Sequence, residues 1–252
     1  MRRILGYCIF TVLFFTSCGS QHPGETKPTL ASNFLNITDN EDKGIKEITG
    51  LYGGECEYGF SKSAGINKET KNAFWLEVRK SRTIDNSKVH PELIGSNIAY
   101  LFYRNLKDGE KDKYTEIQVK AKRTNGETFD FTFPVSELEL VTRRRAVVEQ
   151  IYSYVKNRDF KNLGDHIETV PAITQTSPEE MVSNIKQAEI SFGATKELVP
   201  YGFRFIKSND GQELLYFAGI MLREKENVKN PFIVLLDPKA NDDKIYALNY
   251  DF

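Results

Sequence analysis

The chain has 252 residues, with 34 lysines and arginines against 35 aspartates and glutamates, a formal net charge of −1 at pH 7. That balance argues against a general nucleic-acid binder, which would carry a basic surplus. At 40% hydrophobic residues there is enough apolar material for a substantial core, and the length fits about two domains.

Arg2 and Arg3 precede an apolar run from Ile4 to Phe15, and the small residues Thr16, Ser17, Cys18 and Gly19 follow. A positive start, a short apolar stretch and a small-residue cut site form the layout of a secretory signal. A membrane-spanning helix would need roughly 20 apolar residues, so this run is too short to remain as one. Phe15-Thr16-Ser17-Cys18 resembles the lipobox of bacterial lipoproteins, with Phe15 where that family usually has leucine. The resemblance implies that residues 1–17 are removed, that the Cys18 sulfur carries a diacylglycerol, and that the new amino group is acylated. Several acyl chains, at about 0.8 kcal/mol per buried methylene, anchor a protein stably where one chain would not. Gly19, where an aspartate would favour the inner membrane, implies the outer membrane with the folded part facing the periplasm. The alternative is an ordinary signal peptide with an incidental cysteine.

Residues 18–44 are rich in Gly, Pro, Ser, Thr, Asn and Asp. They are expected to form a flexible tether, because such composition buries too little apolar surface to offset ordering entropy. With Cys8 removed and Cys18 lipidated, Cys56 has no partner for an internal disulfide, so packing must supply the stability.

A first α+β domain is expected over residues 45–142. Alternation from Glu55 to Phe60 predicts a strand, and Phe74, Leu76 and Val78 alternating with Trp75, Glu77 and Arg79 predict a second. Trp75 then lies opposite the core face, and is expected to pack under a neighbouring element. From Pro91, a proline suited to a first helical turn, Leu93, Ile94, Ile98, Leu101 and Phe102 form one helical stripe. Two strands joined by Asn125-Gly126, a strong hairpin signal, would face inward through Tyr114 or Ile117, Val119 and Ala121, and through Phe129, Phe131 and Phe133. The segment 136–141 closes a β-β-α-β-β unit as a strand or short helix.

Residues 143–252 change texture. Val147, Val148, Ile151, Tyr154 and Val155 repeat at helical spacing, and a short helix is expected near Asp159-Phe160. Ser177, Pro178 and Glu180 announce a capped helix with Met181, Val182, Ile185 and Ala188 inward and Gly193 as its stop. Strands follow at 202–208, 213–224, 231–237 and 244–250, the first two joined across Asp210-Gly211. This order of helices and a curved antiparallel sheet over residues 146–252 resembles the NTF2-like (cystatin-like α+β) superfamily, whose fold implies a cone able to hold a small molecule. The pocket residues it implies here are Tyr152, His166, Tyr216, Asp237 and Tyr246.

Chemical motifs are sparse. Asp165, His166 and Glu168 fall short of the three or four converging ligands a zinc site needs, and no cofactor or metal is expected. Cys56, on a strand between two glutamates, reads as a small buried hydrophobe rather than a nucleophile, since neighbouring negative charge disfavours thiolate. The triplet Arg143-Arg144-Arg145 reads as a solvated face. No phosphate-cradling loop, nucleophile elbow or paired-carboxylate signature is present. The expectation is therefore a lipid-anchored cell-envelope protein that engages a protein partner without catalysis, with a small-ligand binder or enzyme using the cone as the alternative.

Overall fold

A Thr38–Glu41 capping box starts the first helix of the computed structural model, which describes residues 36–63, 70–225 and 229–249. The signal segment and Cys18 lie outside the described residues. Helix α1 (Asp39–Tyr52) is opened by Thr38, whose hydroxyl accepts the Glu41 N–H at 3.2 Å while the Glu41 carboxylate accepts the Thr38 N–H at 2.7 Å. It begins inside the stretch read as tether. Composition obscured it, but Ile45, Ile48 and Tyr52 form a buried stripe at helical spacing.

Strands β1 (Glu55–Ser63) and β2 (Lys71–Arg79) pair antiparallel. The short α2 (Arg82–Asp85), then α3 (Pro91–Tyr103) and the short α4 (Asp108–Lys111), lead to β3 (Glu116–Lys122), which pairs parallel with β2. The hairpin at Gly126, with φ +92°, returns the chain as β4 (Thr128–Pro134). The sheet order is β1-β2-β3-β4. Phe74, Leu76, Val78, Ile117, Val119 and Ala121 are buried on one face, under α1 and α3. The Phe131 ring lies so close to Gly95 of α3 that an added Cβ would meet it at 2.5 Å.

The expected boundary at 142/143 falls in the middle of one helix, α5 (Val135–Asn157). Residues 136–141 are its first turns, not a separate strand. Leu138, Val141, Arg144, Val148, Ile151 and Val155 lie on its buried side, so the stripe runs unbroken and the chain has no reason to stop at 142. Helices α6 (Phe160–Asp165) and α7 (Pro178–Phe192) follow, the second capped by Ser177 and ended by Gly193 at φ +83°. The strands β5 (Thr195–Lys207), β6 (Glu213–Arg223), β7 (Lys229–Leu236) and β8 (Ala247–Asn249) form a second, wholly antiparallel sheet in that order. β5 carries register shifts at Thr195/Glu197 and Pro200/Gly202, and such bulges increase local twist.

The fold is thus mixed α+β, with seven helices and two four-stranded sheets among the described residues. The halves meet where α3 crosses β5. Ser96 Oγ accepts the Phe203 N–H at 2.9 Å, Arg204 pairs with Glu92 at 2.7 Å, and Phe133 meets Phe203 at 6.0 Å. One hydrophobic cluster runs from Ile45 to Leu248 through both sheets.

Candidate functional site

The interior of the second sheet is nearly filled under α5. Phe203, Phe217 and Phe232 fill the space under α5 and leave a gap of about 40 Å³, bounded by Leu198, Val148 and Tyr100. That is room for about one water. At its mouth the Arg145 guanidinium stacks on the Tyr100 ring at 4.6 Å and pairs with Glu149 at 2.9 Å.

Of the five pocket residues expected from sequence, Asp237 and Tyr246 lie close enough that, after burial, the Asp237 charge helps raise the Tyr246 phenol. Tyr152 of α5 meets the Phe232 ring edge-on at 6.2 Å. His166, just past α6, has Nδ1 at 2.6 Å from the Asn162 carbonyl and Nε2 at 2.8 Å from the Asp243 carboxylate, so it ties α6 to the loop before β8. Burial works to raise the Asp243 carboxyl, but the His166 charge and hydrogen bond, its own amide and Lys244 outweigh it and hold it low. Tyr216 lines a depression of about 500 Å³ with Ile233, Leu235 and Met181. Asp237 accepts the Lys239 N–H at 2.7 Å in a turn. Tyr246 is raised above the usual phenol range, first by burial, and bonds Gln212.

Two arginines are buried among the described residues, and one of them, Arg144, belongs to the triplet read as a solvated face. Arg144 is 4% exposed, and its Nη1 donates to the carbonyls of Ala240 (3.1 Å) and Asp242, while Nη2 donates to Lys244 (3.2 Å). The solvated-face reading holds for Arg143 alone of the triplet. Its neighbour Arg144 occupies a stripe position of α5, and that placement was the readable signal. Arg223, 3% exposed, sits where the inward alternation Leu215, Phe217, Met221 calls for an apolar residue. It donates to Asn230 at 3.0 Å, Thr195 Oγ1 at 3.0 Å and the Gly193 carbonyl at 3.3 Å. Glu189 lies 4.0 Å away and is also bonded by Arg158 at 2.9 Å. Both arginines fix loops and strand ends by satisfying buried carbonyls.

Cys56 packs against the core and its thiol is pushed up to about 12, by burial first and then by the Glu57 charge. The expectation of an inert thiol placed the cause in charge alone. No group of three or more His, Cys, Asp or Glu side chains suited to a metal occurs among the described residues, and none of their helices is long and apolar enough to cross a membrane.

The more open chemistry lies on the first sheet. β1 is its edge strand; among the described residues no strand pairs with its outer side. Phe60 on β1 is 41% exposed, stacks parallel on Tyr114 at 6.0 Å and meets Phe74 edge-on at 5.1 Å. Beside it a depression of about 530 Å³ is floored by Phe60, Ala73 and Tyr114 and rimmed by Asn36, Lys62 and Lys113. The floor is braced from within. Tyr114 donates its hydroxyl to the buried Glu41 carboxylate at 2.5 Å, and burial first, then that bond, hold the phenol well above its ordinary range. On the sheet face away from the core, Trp75 is half-buried and borders a depression also lined by Gln118 and Thr132. Its indole lies against Gly59 on the neighbouring strand.

No protein-family model, curated protein sequence or solved structure matches the chain.

Proposed function

We propose that this chain is a lipid-anchored component of the cell envelope, held at Cys18 and facing the periplasm from the outer membrane, that engages a protein partner along the β1 edge. The observation that carries the partner reading is Phe60, a 41% exposed aromatic on an edge strand, beside a depression with an aromatic floor. An open edge offers backbone hydrogen bonds to an added strand, and pockets beside it read alternate side chains. Lys62 and Lys113 on the rim, both exposed, complement a segment with acidic residues. An aromatic centre inside a polar rim is the arrangement that concentrates binding energy at protein interfaces. The near-filled interior of the second sheet supports binding at the surface over chemistry inside a cone. We take the second half as NTF2-like in arrangement, and its curved sheet as the scaffold that carries the first.

The test is crosslinking of the tagged full-length protein in native envelopes. A protein captured with wild type and with Tyr216→Ala, but lost with Phe60→Asp, supports the edge. Capture indifferent to Phe60→Asp, or a saturable turnover by the purified protein that a pocket substitution abolishes, overturns it. The anchor has its own readout: Cys18→Ala accumulates a precursor of higher mass without incorporated fatty acid, and continued acylation of that variant would remove Cys18 from the account.

A further inference from the structure

We propose that the outer face of the first sheet is a binding platform for a neutral saccharide chain, with Trp75 as its plate. Trp75 is the single tryptophan of the chain and sits on the interior strand β2, opposite Gly59 of β1 and beside Gln118 of β3. Its indole lies over Gly59: a Cβ there would come within 2.6 Å of Cζ2, 2.7 Å of Cε2 and 2.8 Å of Nε1. The backbone of Gly59 is not among those with positive φ. What requires glycine at this position is therefore the ring laid on it, and not the turn of the chain.

The polar groups around the plate are ordered by the sheet. One row across the strands is Trp75, Gln118, Thr132; the next on the same face is Glu77, Lys120, Asp130. They line a depression of about 460 Å³, within the range of roughly 300–1,000 Å³ typical of small-molecule sites. Strands lie about 4.8 Å apart, so each row spans on the order of 10 Å, the scale of a disaccharide.

The chemistry selects the ligand class. A pyranose ring has a face of C–H bonds and a rim of hydroxyls that each donate and accept. The C–H face suits the negative face of an indole. The hydroxyls meet carboxylate acceptors, an amide that does both, an ammonium donor and a hydroxyl. Charge argues against a polyanion: Glu77 and Asp130 outnumber Lys120, which itself lies 3.8 Å from Glu77. The face therefore has no basic surplus to attract phosphates or sulfates, and it complements an uncharged polyhydroxyl chain.

This platform is a different face from the β1 edge, so the two readings fail separately. Because Trp75 is the only tryptophan among 12 tyrosines, fluorescence of the full-length protein excited selectively at tryptophan reports on the plate. Titration with cellohexaose, N-acetylchitohexaose and maltohexaose is expected to give a saturable change with at least one. By calorimetry, Trp75→Ala abolishes that binding, and Gln118→Ala and Asp130→Ala each weaken it about tenfold or more. Gly59→Val, which unseats the ring, loses binding too, while all variants keep the wild-type circular dichroism and Phe60→Asp still binds. The proposal is overturned if none of the three sugars gives a saturable change, if binding survives Trp75→Ala, or if heparin alone binds.

Discussion

Gly202 of β5 lies so close to Leu93 of α3 that a Cβ on it would fall 2.0 Å from the Leu93 carbonyl oxygen. Its φ of +140° adds a second penalty for any other residue. The two halves of the chain therefore meet backbone to backbone, with Ser96 Oγ bonded to the next N–H of β5. Gly202→Ala is expected to cost about 3 kcal/mol or more, and Ser96→Ala about 1–3 kcal/mol by leaving the buried Phe203 N–H unsatisfied. Wild type should unfold in urea as one cooperative transition. Two separated transitions would show that the shared core does not couple the halves.

Arg144 holds three carbonyls of the loop at 240–244 from the buried side of α5. A lysine carries a point charge and no fork, so it cannot replace that geometry. Both Arg144→Lys and Arg144→Ala should lower stability by about 2–4 kcal/mol and speed amide exchange in residues 239–244. Wild-type exchange in the lysine variant would mean that the loop is fixed by other contacts.

Arg223 Nη1 and Glu189 Oε1 approach to 4.0 Å at one end of the second sheet. Removing Arg223 takes away one of the two cations near Glu189, the other being Arg158 at 2.9 Å, and a buried charge that loses a partner is costly. Arg223→Met should therefore destabilise more than the double variant Arg223→Met/Glu189→Gln, with a coupling of about 0.5–3 kcal/mol in a double-mutant cycle. Strict additivity would make the 4.0 Å approach incidental.

Burial pushes Tyr52 up to about 12 against a partly offsetting bond from Asn97, and Cys56 and Tyr103 likewise up to about 12. In each case the fold keeps a proton that the unfolded chain gives up above about pH 9 to 10. The stability they contribute is complete below that range and is lost as pH rises toward 12, at up to about 1.4 kcal/mol per pH unit for each group. Urea midpoints should fall between about pH 9 and 12, and Tyr52→Phe should flatten part of the slope. At about pH 8 Cys56 should alkylate slowly, since only thiolate reacts. Rapid labelling under native conditions would contradict the raised thiol of this half-buried residue.

What the sequence by itself determined was local. Alternation placed Phe74, Leu76 and Val78 inward and Trp75 outward; Asn125-Gly126 and Asp210-Gly211 marked hairpins; Ser177 and Gly193 bounded α7. These follow from side-chain period and allowed backbone angles, which need no partner. Where polar composition hid a stripe, as in α1, or where a charge sat within one, as Arg144 does in α5, the local signal was present but outvoted. Tertiary structure alone decided what each surface meets. It joined α3 to β5 across more than a hundred residues, turned Arg144 and Arg223 onto carbonyls and strand ends distant in sequence, nearly filled the interior of the second sheet with three phenylalanines, and set Trp75 on Gly59. A spacing rule reports which face a residue takes. Only the packed chain fixes what lies across from it.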